Sequence, residues 1–489
     1  MKRLVLGLLS LIGILSLVIV VRAVCFSSRQ ITVSPAARIH FDKAAASERL
    51  SRAIQFRTVS TPDSVQSSST EFERFHEFLK EAFPRIGGQL GNETVGGHSL
   101  LYTWKGQDSA LKPILLMAHM DVVPATGEGW RYPPFSGALA EGYVWGRGAM
   151  DDKAGVMAIL EAAEFLLGDG FIPKRTIYLA FGHDEEIGGY RGAAKIAELL
   201  RSRSVELDFL LDEGMNIFHG VVPGISTPVA LIGTAEKGYL SLQLSAETPG
   251  GHSSIPPADT AIGIVSRALS RLETRPFPSR LIGATRQMLE FLGPEMSWTN
   301  RLALANLWLF DPLVRKQLAR SPLTNAAVRT TLAPTIFQAG VTENVLPHNA
   351  TAVINLRLLP GDTTASALDY VRRVINDPKV EITPVSVATE ASALSDIESR
   401  GFQLLERAIR QTVPSALVAP ALLVAETDSR HYTGLTKNIF RFLPIQLGPD
   451  DTQRYHGSNE RLSIDDYERC IRFYTQLIRS SYNNRRYLE

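Results

Sequence analysis

The chain has 489 residues, of which 45% are hydrophobic and 21% are charged, a balance typical of a folded globular protein with two or three domains. Its formal net charge of +1 gives no electrostatic reason to expect nucleic-acid binding. The sequence holds two cysteines, Cys25 and Cys470, which excludes a disulfide framework and a thiolate metal cluster. Any metal site must therefore use histidine, aspartate and glutamate.

The N-terminus carries a basic start followed by an uncharged apolar run. Lys2 and Arg3 precede 18 residues without a charge, from Leu4 to Val21. Such a run is longer than the core of most signal peptides and long enough to cross a bilayer. A convincing cleavage site is not evident, which favours an anchor over a cleaved signal peptide. We expect residues 1–30 to be a signal anchor or signal peptide, with possible membrane contact, and the protein to be non-cytosolic, either membrane-anchored or secreted.

From about residue 45, helical and strand patterns alternate along the chain. Apolar stretches at 113–118, 175–182 and 207–214 predict buried strands. Helical spacing with strong helix formers predicts helices at 153–167 and 192–202 between them. Strand–helix–strand alternation indicates an α/β layer with a mostly parallel sheet.

A different pattern begins near residue 236. Stretches 238–247 and 351–360 alternate apolar and polar residues, as half-exposed antiparallel strands do. With helices around 260–273 and 366–374, they predict a small α+β unit. Residues 276–334 have the pattern of an irregular helical insert, and after about 390 the chain returns to the first pattern.

Polar side chains collect where the predicted strands end. They are His119 and Asp121, Asp151 and Asp152, Glu185 and Glu186, Asp212 and Glu213, and His456. Because ligands of open α/β sheets bind outside the carboxyl ends of the strands, we expect these side chains to lie together. Carboxylates buried together repel one another at a cost of several kcal/mol each. Two divalent cations such as zinc would neutralise them and activate a water as a nucleophile.

His119 and Asp121 are two positions apart at a strand end, so we expect their side chains to share a face. His119 would bind a metal through one ring nitrogen, and Asp121 would hold the other and fix the tautomer. Each residue also has an ordinary structural explanation when taken alone. A strand-end histidine is more often structural than a ligand, and the Asp151–Asp152 pair could be a helix N-cap. The interpretation as a metal site therefore depends on the occurrence of all these residues, in this order, at the ends of predicted strands.

Six motifs follow one another in the chain: HMDVVP, WGRGAMDDKAG, DEEIGG, LDEG, GGHSS and RYHGSNE. In this order, from about residue 50 to 475, they resemble those of the aminoacylase-1/carboxypeptidase S family of dinuclear zinc metallopeptidases. Within that family, the N-terminal run and the insert are most similar to carboxypeptidase S and the N-fatty-acyl-amino-acid synthase/hydrolase. The resemblance implies a zinc catalytic domain, residues 40–236 and 389–489. It is interrupted by a smaller lid or dimerisation domain, residues 237–388, which contains the helical insert 276–334.

The resemblance also implies roles for the strand-end residues. The implied ligands of two Zn²⁺ are His119, Asp151, Glu186, His456 and either Asp212 or Glu213. Asp151 would bridge the two ions, and Co²⁺ or Mn²⁺ are possible substitutes for zinc. Glu185 is implied as the general base, which takes a proton from water and passes it to the leaving amine. Asp121 would orient His119, and Asp152 matches no ligand position.

Three residues of the smaller domain match substrate-binding or catalytic positions of the family. His252 in TPGGHSS would stabilise the oxyanion, often from across a dimer interface, and Asn344 in TENVLP would contact substrate. Arg357 in NLRLLPGD could pair with a substrate carboxylate through two hydrogen bonds. The alternatives are that His252 supports a turn and that Arg357 lies on a strand surface.

These features imply a zinc-dependent amidohydrolase that cleaves N-acyl or N-fatty-acyl amino acids and could form them by the reverse reaction at high amino-acid concentration. A carboxypeptidase that releases C-terminal amino acids from short peptides is the first alternative, and it differs in the acyl pocket. An inactive, metal-bound binding protein is the second, and the intact Glu185 argues against it. The insert, rich in Leu, Phe and Trp, could line a lipid groove, touch a membrane or fill the core of extra helices. The expected partners are a small amide or peptide and a second copy of the chain, without nucleic acid.

Overall fold

The computed structural model describes residues 2–37, 39–61 and 69–481. The helices are α1 (Lys2–Cys25), α2 (Lys43–Gln55), α3 (Ser69–Ala82), α4 (Pro84–Gln89), α5 (Lys153–Gly168), α6 (Ala193–Ser202), α7 (Ala261–Thr274), α8 (Gly283–Leu292), α9 (Trp298–Ala305), α10 (Leu307–Leu318), α11 (Pro322–Ala326), α12 (Thr364–Ile375), α13 (Arg400–Thr412) and α14 (Ile464–Ser481). Short 3₁₀ helices lie at Glu185–Ile187, Gly293–Glu295, Asp428–Tyr432 and Asp451–Arg454.

The strands are β1 (Gly91–Val95), β2 (Ser99–Trp104), β3 (Ile114–His119), β4 (Ala138–Ala140), β5 (Tyr143–Trp145), β6 (Ile177–Gly182), β7 (Phe209–Asp212), β8 (Ile217–Phe218), β9 (Val229–Glu236), β10 (Gly238–Glu247), β11 (Gly251–His252), β12 (Thr331–Ala339), β13 (Val345–Leu346), β14 (Asn349–Leu358), β15 (Glu381–Pro384), β16 (Leu417–Leu423), β17 (Ile439–Arg441), β18 (Gln446–Leu447) and β19 (Arg461–Ser463).

The large sheet has the strand order β1-β2-β6-β3-β7-β17-β9-β8-β18, with β16 paired to β9. The central strands β6, β3, β7 and β17 pair in parallel. Strand β16 also pairs in parallel with β9, and β18 pairs in parallel with β8. The β1–β2, β2–β6, β17–β9 and β8–β9 pairs are antiparallel. The predicted α/β class is confirmed. The sheet is more mixed than the strand–helix alternation indicates, because antiparallel pairs flank its parallel centre.

Strand β3 shows why the central strands are continuous apolar runs. All six of its residues are buried, and alternate side chains enter two different cores. Ile114 and Leu116 pack in the core that contains α5, whereas Leu115 and Met117 pack in the core that contains α6. A strand covered by helices on both faces has no polar face, so its sequence does not alternate.

The smaller sheet is antiparallel in the order β12-β14-β10-β15. Leu240, Leu242 and Leu244 of β10 pack with Ile354 and Leu356 of β14 in a core that α7 and α12 complete. The burial of β14 alternates along its length, so one face is covered by helices and the other carries half-exposed side chains. The sheet uses strands between residues 238 and 384, and the domain limits at 237 and 388 stay a prediction.

Residues 283–326 of the predicted insert are mainly helical, whereas β12 begins at Thr331. Helix α8 packs against the large sheet. Phe291 contacts Phe402 with ring centroids 6.1 Å apart, and Phe291 and Leu292 belong to the same core as α5. Within the described residues, α1 is the one helix long and apolar enough to cross a membrane.

A buried ion pair joins two strand ends of the large sheet to residues 427–429. Arg441 at the end of β17 is fully buried, and its Nη2 lies 3.0 Å from Glu236 Oε1 at the end of β9. Arg441 Nε donates to Ser429 Oγ (3.0 Å), and the second oxygen of Glu236 accepts the Thr427 amide (3.1 Å). The pair therefore fixes residues 427–429 against two strand ends.

We predict that Glu236→Ala lowers the free energy of unfolding by about 3–5 kcal/mol, because it leaves the Arg441 guanidinium buried without a counter-charge. The measurement is urea unfolding of the detergent-solubilised chain. Glu93→Ala is the matched control, since it removes a pair with Arg203 whose side chains are 39% and 40% exposed and should cost under about 1 kcal/mol. Equal losses in the two variants would contradict the role of the buried pair.

Candidate metal centre

The two histidines of the predicted ligand set meet at one carboxylate. His119 Nε2 lies 2.9 Å from Asp151 Oδ1, and His456 Nε2 lies 3.2 Å from Asp151 Oδ2. His456 Nε2 is also 3.2 Å from Glu186 Oε2. The structure thus brings these four side chains together, with one Asp151 oxygen facing each imidazole.

The topology of the large sheet explains this meeting. His119 ends β3, the turn with Glu185 and Glu186 follows β6, and Asp212 and Glu213 end β7 or follow it directly. Strand β3 pairs in parallel with both β6 and β7, so the carboxyl ends of the three strands lie side by side. Such an edge is the usual ligand site of an open α/β sheet.

Asp121 is buried beneath this edge and holds two parts of the cluster. Its Oδ1 and Oδ2 accept the backbone amides of Glu185 and Glu186, each at 3.1 Å. His119 Nδ1 lies 3.4 Å from Asp121 Oδ1 and 3.0 Å from the Asp121 carbonyl oxygen. Burial opposes the charged form of Asp121, but the bond and charge of His119 outweigh it and lower the pKa of Asp121. The contact with His119 was expected, whereas the support of the glutamate turn was not.

The turn that carries the glutamates ends at two glycines. Gly188 has φ +106° and Gly189 has φ +68°, a backbone conformation that side chains other than glycine rarely adopt. A Cβ atom on Gly189 would also lie 1.8 Å from Asp428 Oδ1. The last two positions of the DEEIGG motif therefore require glycine, because the chain leaves the cluster there in a tight turn.

The two candidates for the fifth ligand have different hydrogen-bond partners. Asp212 Oδ1 accepts the Glu213 amide and Asp212 Oδ2 accepts the Ser429 amide, each at 3.0 Å. Among the residues that the structure describes, no backbone amide bonds the Glu213 carboxylate in this way. Burial, followed by the charges of Asp151 and Asp212, raises the pKa of Glu213 well above its ordinary value. Backbone amides thus engage both oxygens of Asp212, and which of the two residues is a ligand stays a prediction.

The electrostatics and the donor atoms of the cluster fit divalent cations. Two groups, His119 with Glu185 and Glu186, and Asp151 with Glu186 and His456, each place ligand atoms within 4.8 Å of one another. Burial raises the pKa of Glu185 and Glu186, and bonds to Asp151 and Glu186 raise the pKa of His456 to about 10. Within the described residues, Glu186 Oε1 is buried without a hydrogen-bond partner. Imidazole nitrogens and carboxylate oxygens suit zinc, cobalt or manganese.

A buried ion pair that the sequence reasoning missed supports two of the predicted ligands. Arg147 Nη1 lies 2.5 Å from Glu460 Oε2, and Glu460 Oε1 accepts the Met150 and Asp151 amides at 2.8 and 3.2 Å. Arg147 Nη2 donates to the carbonyl oxygens of His456 (2.9 Å) and Gly457 (3.1 Å). One pair therefore positions both Asp151 and His456. Its signal in the sequence is the arginine of WGRG and the glutamate of RYHGSNE.

The remaining predicted residue of this region, Asp152, caps a helix. Asp152 Oδ1 accepts the Gly155 amide at 3.1 Å at the start of α5. This agrees with the N-cap alternative, and it leaves Asp151 as the member of the pair that faces the histidines.

His252 and Asn344 lie together in the smaller domain. β11 pairs with β13, so His252 is opposite Val345, and the Ser253 amide donates to the Asn344 carbonyl oxygen at 3.2 Å. His252 is exposed, with Ser254 as its polar neighbour at 2.8 Å. No hydrogen bond or ion pair within the described part of the chain joins either residue to the carboxylate–histidine cluster. Their predicted roles stay predictions.

Arg357 belongs to β14 of the smaller sheet and has a charged neighbour, Glu426, outside that sheet. Its guanidinium carbon is 4.8 Å from the centre of the Tyr239 ring, and its Nη1 is 3.8 Å from Glu426 Oε2. Arg430 Nη1 lies 3.3 Å from the same Glu426 oxygen, and Arg430 Nη2 donates to the Gly188 carbonyl oxygen at 2.7 Å. Arg357 also lines an open groove of about 480 Å³ on the face of the smaller sheet. A series of charged side chains, Arg357, Glu426 and Arg430, thus connects the smaller sheet to the turn that carries Glu185 and Glu186.

Comparisons with known proteins identify similar chains. The model of peptidase family M20/M25/M40 matches residues 115–480. Probable carboxypeptidase S-like 2 of Dictyostelium discoideum is 44% identical over 482 residues, which cover 96% of this chain and 92% of that protein. The N-fatty-acyl-amino acid synthase/hydrolase PM20D1 of Xenopus tropicalis is 44% identical over 437 residues, which cover 89% of this chain and 85% of that protein.

A solved structure has the same fold. The M20 family metallo-carboxypeptidase Sso-CP2 from Sulfolobus solfataricus superposes with a TM-score of 0.64 at 17% sequence identity. The superposition covers 89% of this chain and 99% of that chain. At this identity, the likeness concerns the fold.

We predict that Glu460→Gln weakens zinc binding by about 10- to 100-fold, because it removes the charge that holds Arg147 and, through it, two proposed ligands. Competition with a fluorescent zinc chelator measures the affinity. Glu206→Gln, which changes an exposed partner of Lys112, is the control and should bind zinc as the wild type does. A folded Glu460→Gln variant with unchanged affinity would contradict the positioning role.

Proposed function

The chain belongs to peptidase family M20/M25/M40 and is therefore a hydrolase of this class, and we propose that it cleaves the amide bond of N-acyl amino acids in a metal-dependent reaction. The observation that carries the proposal is the meeting of His119, Asp151, Glu186 and His456 beside Glu185. We include N-fatty-acyl amino acids among the substrates, because a relative with 44% identity is named as an N-fatty-acyl-amino acid synthase/hydrolase.

We propose that two Zn²⁺ ions are held by His119, Asp151, Glu186, Glu213 and His456. Asp151 presents separate oxygens to the two histidines, which suits a residue shared by two cations. When bound, such cations polarise the amide carbonyl and lower the pKa of a water molecule. The chain's own residues then bind the substrate and move the proton.

Glu185 is the proposed general base. It takes a proton from the attacking water and gives one to the amide nitrogen as the amine leaves. The hydrogen bond from its amide to Asp121 fixes the start of the turn, so the carboxylate is held beside His119 and Glu186. Hydrolysis yields a carboxylic acid and a free amino acid, and condensation of the two is the reverse reaction.

Arg357 is the proposed receptor for the substrate carboxylate. Its separation of 3.8 Å from Glu426 is too long for a hydrogen bond, so the guanidinium can form a bidentate pair with a ligand. We propose that His252 stabilises the oxyanion from a second copy of the chain, since it is exposed and its polar contacts are local. This role would require a homodimer formed through the smaller domain.

We further propose that α1 is a signal anchor or signal peptide, which places the enzyme outside the cytosol. The alternative activity is that of a carboxypeptidase on short peptides, and a relative named as probable carboxypeptidase S-like favours it. Both activities would use the same cluster and the same Arg357, so the acyl side of the substrate separates them. An inactive binding protein would have no need for Glu185.

The first experiment compares hydrolysis of N-oleoyl, N-acetyl and N-aminoacyl derivatives of the same amino acid. We expect the oleoyl compound to be cleaved fastest and a chelator to abolish turnover. Glu185→Gln should lower kcat by about 10²–10⁴-fold with bound zinc retained, because proton transfer is lost. Preference for the dipeptide would instead assign a carboxypeptidase. Failure of all three substrates with zinc bound would contradict the proposed function.

We predict that Arg357→Lys lowers kcat/KM for an N-acyl amino acid by about 10- to 100-fold, because a lysine cannot form the bidentate pair. The matched control is the carboxamide of the same substrate, which lacks the charge and should lose little. Steady-state kinetics on both compounds measures the difference. Equal losses would show that Arg357 does not read the carboxylate.

A further inference from the structure

Helices α9 and α10 of the insert carry apolar side chains that the fold leaves uncovered. Neither helix contains a buried residue within the described chain. Trp298, Trp308 and Leu313 are 48%, 57% and 61% exposed, and Leu309 is also exposed. Trp308, Leu309 and Leu313 lie within six residues of α10, and α9, which begins with Trp298, contacts α10. Exposed apolar patches mark interaction sites, whereas single exposed apolar residues do not.

Side chains of α9 and of the residue that follows it form hydrogen bonds with the C-terminal end of α1. Asn306, between α9 and α10, is fully buried, and its Nδ2 donates to the Ile19 carbonyl oxygen at 3.0 Å. The Arg301 guanidinium donates to the carbonyl oxygens of Ala23 (2.8 Å), Val24 (3.2 Å) and Phe26 (2.6 Å). A helix leaves its last carbonyl groups without partners of its own, so Arg301 caps α1.

This contact fixes the depth of the insert along α1. The uncharged run from Leu4 to Val21 is about 27 Å long at the rise of an α-helix, close to the thickness of the hydrocarbon core of a bilayer. Ile19 lies in the last turn of that run. Asn306 is therefore level with the boundary between hydrocarbon and headgroups when α1 spans a bilayer.

Trp308 has the properties of a side chain at that boundary. Its indole Nε1 donates to Asn306 Oδ1 at 3.2 Å, while most of its surface is exposed. Tryptophan is enriched at membrane interfaces, because its ring is apolar and its N–H is polar. Lys316 and Arg320 follow on the exposed surface at and beyond the end of α10, where cations can meet anionic headgroups.

We propose that α9 and α10 lie on the bilayer that α1 crosses, with Trp298, Trp308, Leu309 and Leu313 inserted among the headgroups and upper acyl chains. The insert is attached to two parts of the chain, since Phe291 and Leu292 pack in the core of the large sheet and Arg301 and Asn306 bond to the backbone of residues 19–26. The contact therefore orients the catalytic half on the membrane. This inference rests on the proposal that α1 is a signal anchor and does not depend on the proposed substrate.

The test uses the full chain reconstituted into vesicles of phosphatidylcholine brominated near the top of the acyl chains. Bromine quenches tryptophan fluorescence on contact, and α1 contains no tryptophan. Of the five tryptophans, Trp104 and Trp145 are buried and Trp130 is partly buried in the catalytic half. We expect about two fifths of the emission to be quenched, if the five indoles emit equally.

Two variants make the outcome specific. Trp298→Phe combined with Trp308→Phe should abolish the quenched fraction, whereas Trp130→Phe, the matched control, should keep it. Circular dichroism confirms that each variant is folded. Absence of quenching in the wild type, or quenching that survives in the double variant, would overturn the proposal. If quenching is absent and chemical cross-linking joins two copies through the insert, a second chain covers this surface instead.

Discussion

The crowding of carboxylates at the carboxyl ends of β3, β6 and β7 is the constraint on which the rest of this structure depends. Buried carboxylates repel one another and are costly without partners. Imidazoles of His119 and His456 face Asp151, and backbone amides engage Asp121 and Asp212. Among the described residues, Glu186 keeps one buried oxygen, Oε1, without a hydrogen-bond partner, and no backbone amide bonds the Glu213 carboxylate. A bound cation would neutralise the charge of these two groups. The proposed metal centre would therefore offset the repulsion that the fold creates at this edge of the sheet.

The same constraint explains why both ends of the chain must build the catalytic half. The amide that satisfies Asp212 belongs to Ser429, 217 positions further along, and the glutamate that holds the Asp151 amide is Glu460, 309 positions away. The buried Glu236–Arg441 pair fixes residues 427–429 in turn. The smaller sheet therefore lies between two parts of the chain that both support the site. Removal of the part before it or the part after it would leave carboxylates without hydrogen-bond donors.

Elements with one clear periodicity could be predicted from the sequence. The runs that became β3, β6, β10, β14 and α5 each show one pattern, and the chemical groups at their ends were recognisable because they lie next to them in the chain. Strand β9 was not predicted, because Gly233, Thr234 and Glu236 interrupt its apolar run although all eight of its residues are buried. Strand β16 contains Pro420, which argues against a strand in sequence terms.

The parts of the site that the sequence left open depend on distant donors. Asp212 and Glu213 are adjacent in the chain and chemically alike, so the sequence could not show that the Asp212 carboxylate accepts the Ser429 amide. The pairing of Arg147 with Glu460 spans 313 positions, and no local pattern reports such a contact. The motif that contains each residue marks it, but its role comes from the three-dimensional structure.

The series of charged side chains from Arg357 through Glu426 to Arg430 shows how a substrate carboxylate could bind Arg357 without leaving Glu426 unpaired. Glu426 lies 3.8 Å from Arg357 but 3.3 Å from Arg430, and the Thr389 hydroxyl donates to its other oxygen. If a ligand carboxylate takes the Arg357 guanidinium, Glu426 keeps Arg430 and Thr389 as partners. Arg430 in turn stays bonded to the Gly188 carbonyl oxygen, so the turn that carries Glu185 is not released. Binding at Arg357 therefore exchanges one weak ion pair for a stronger one and leaves the proposed general base in place.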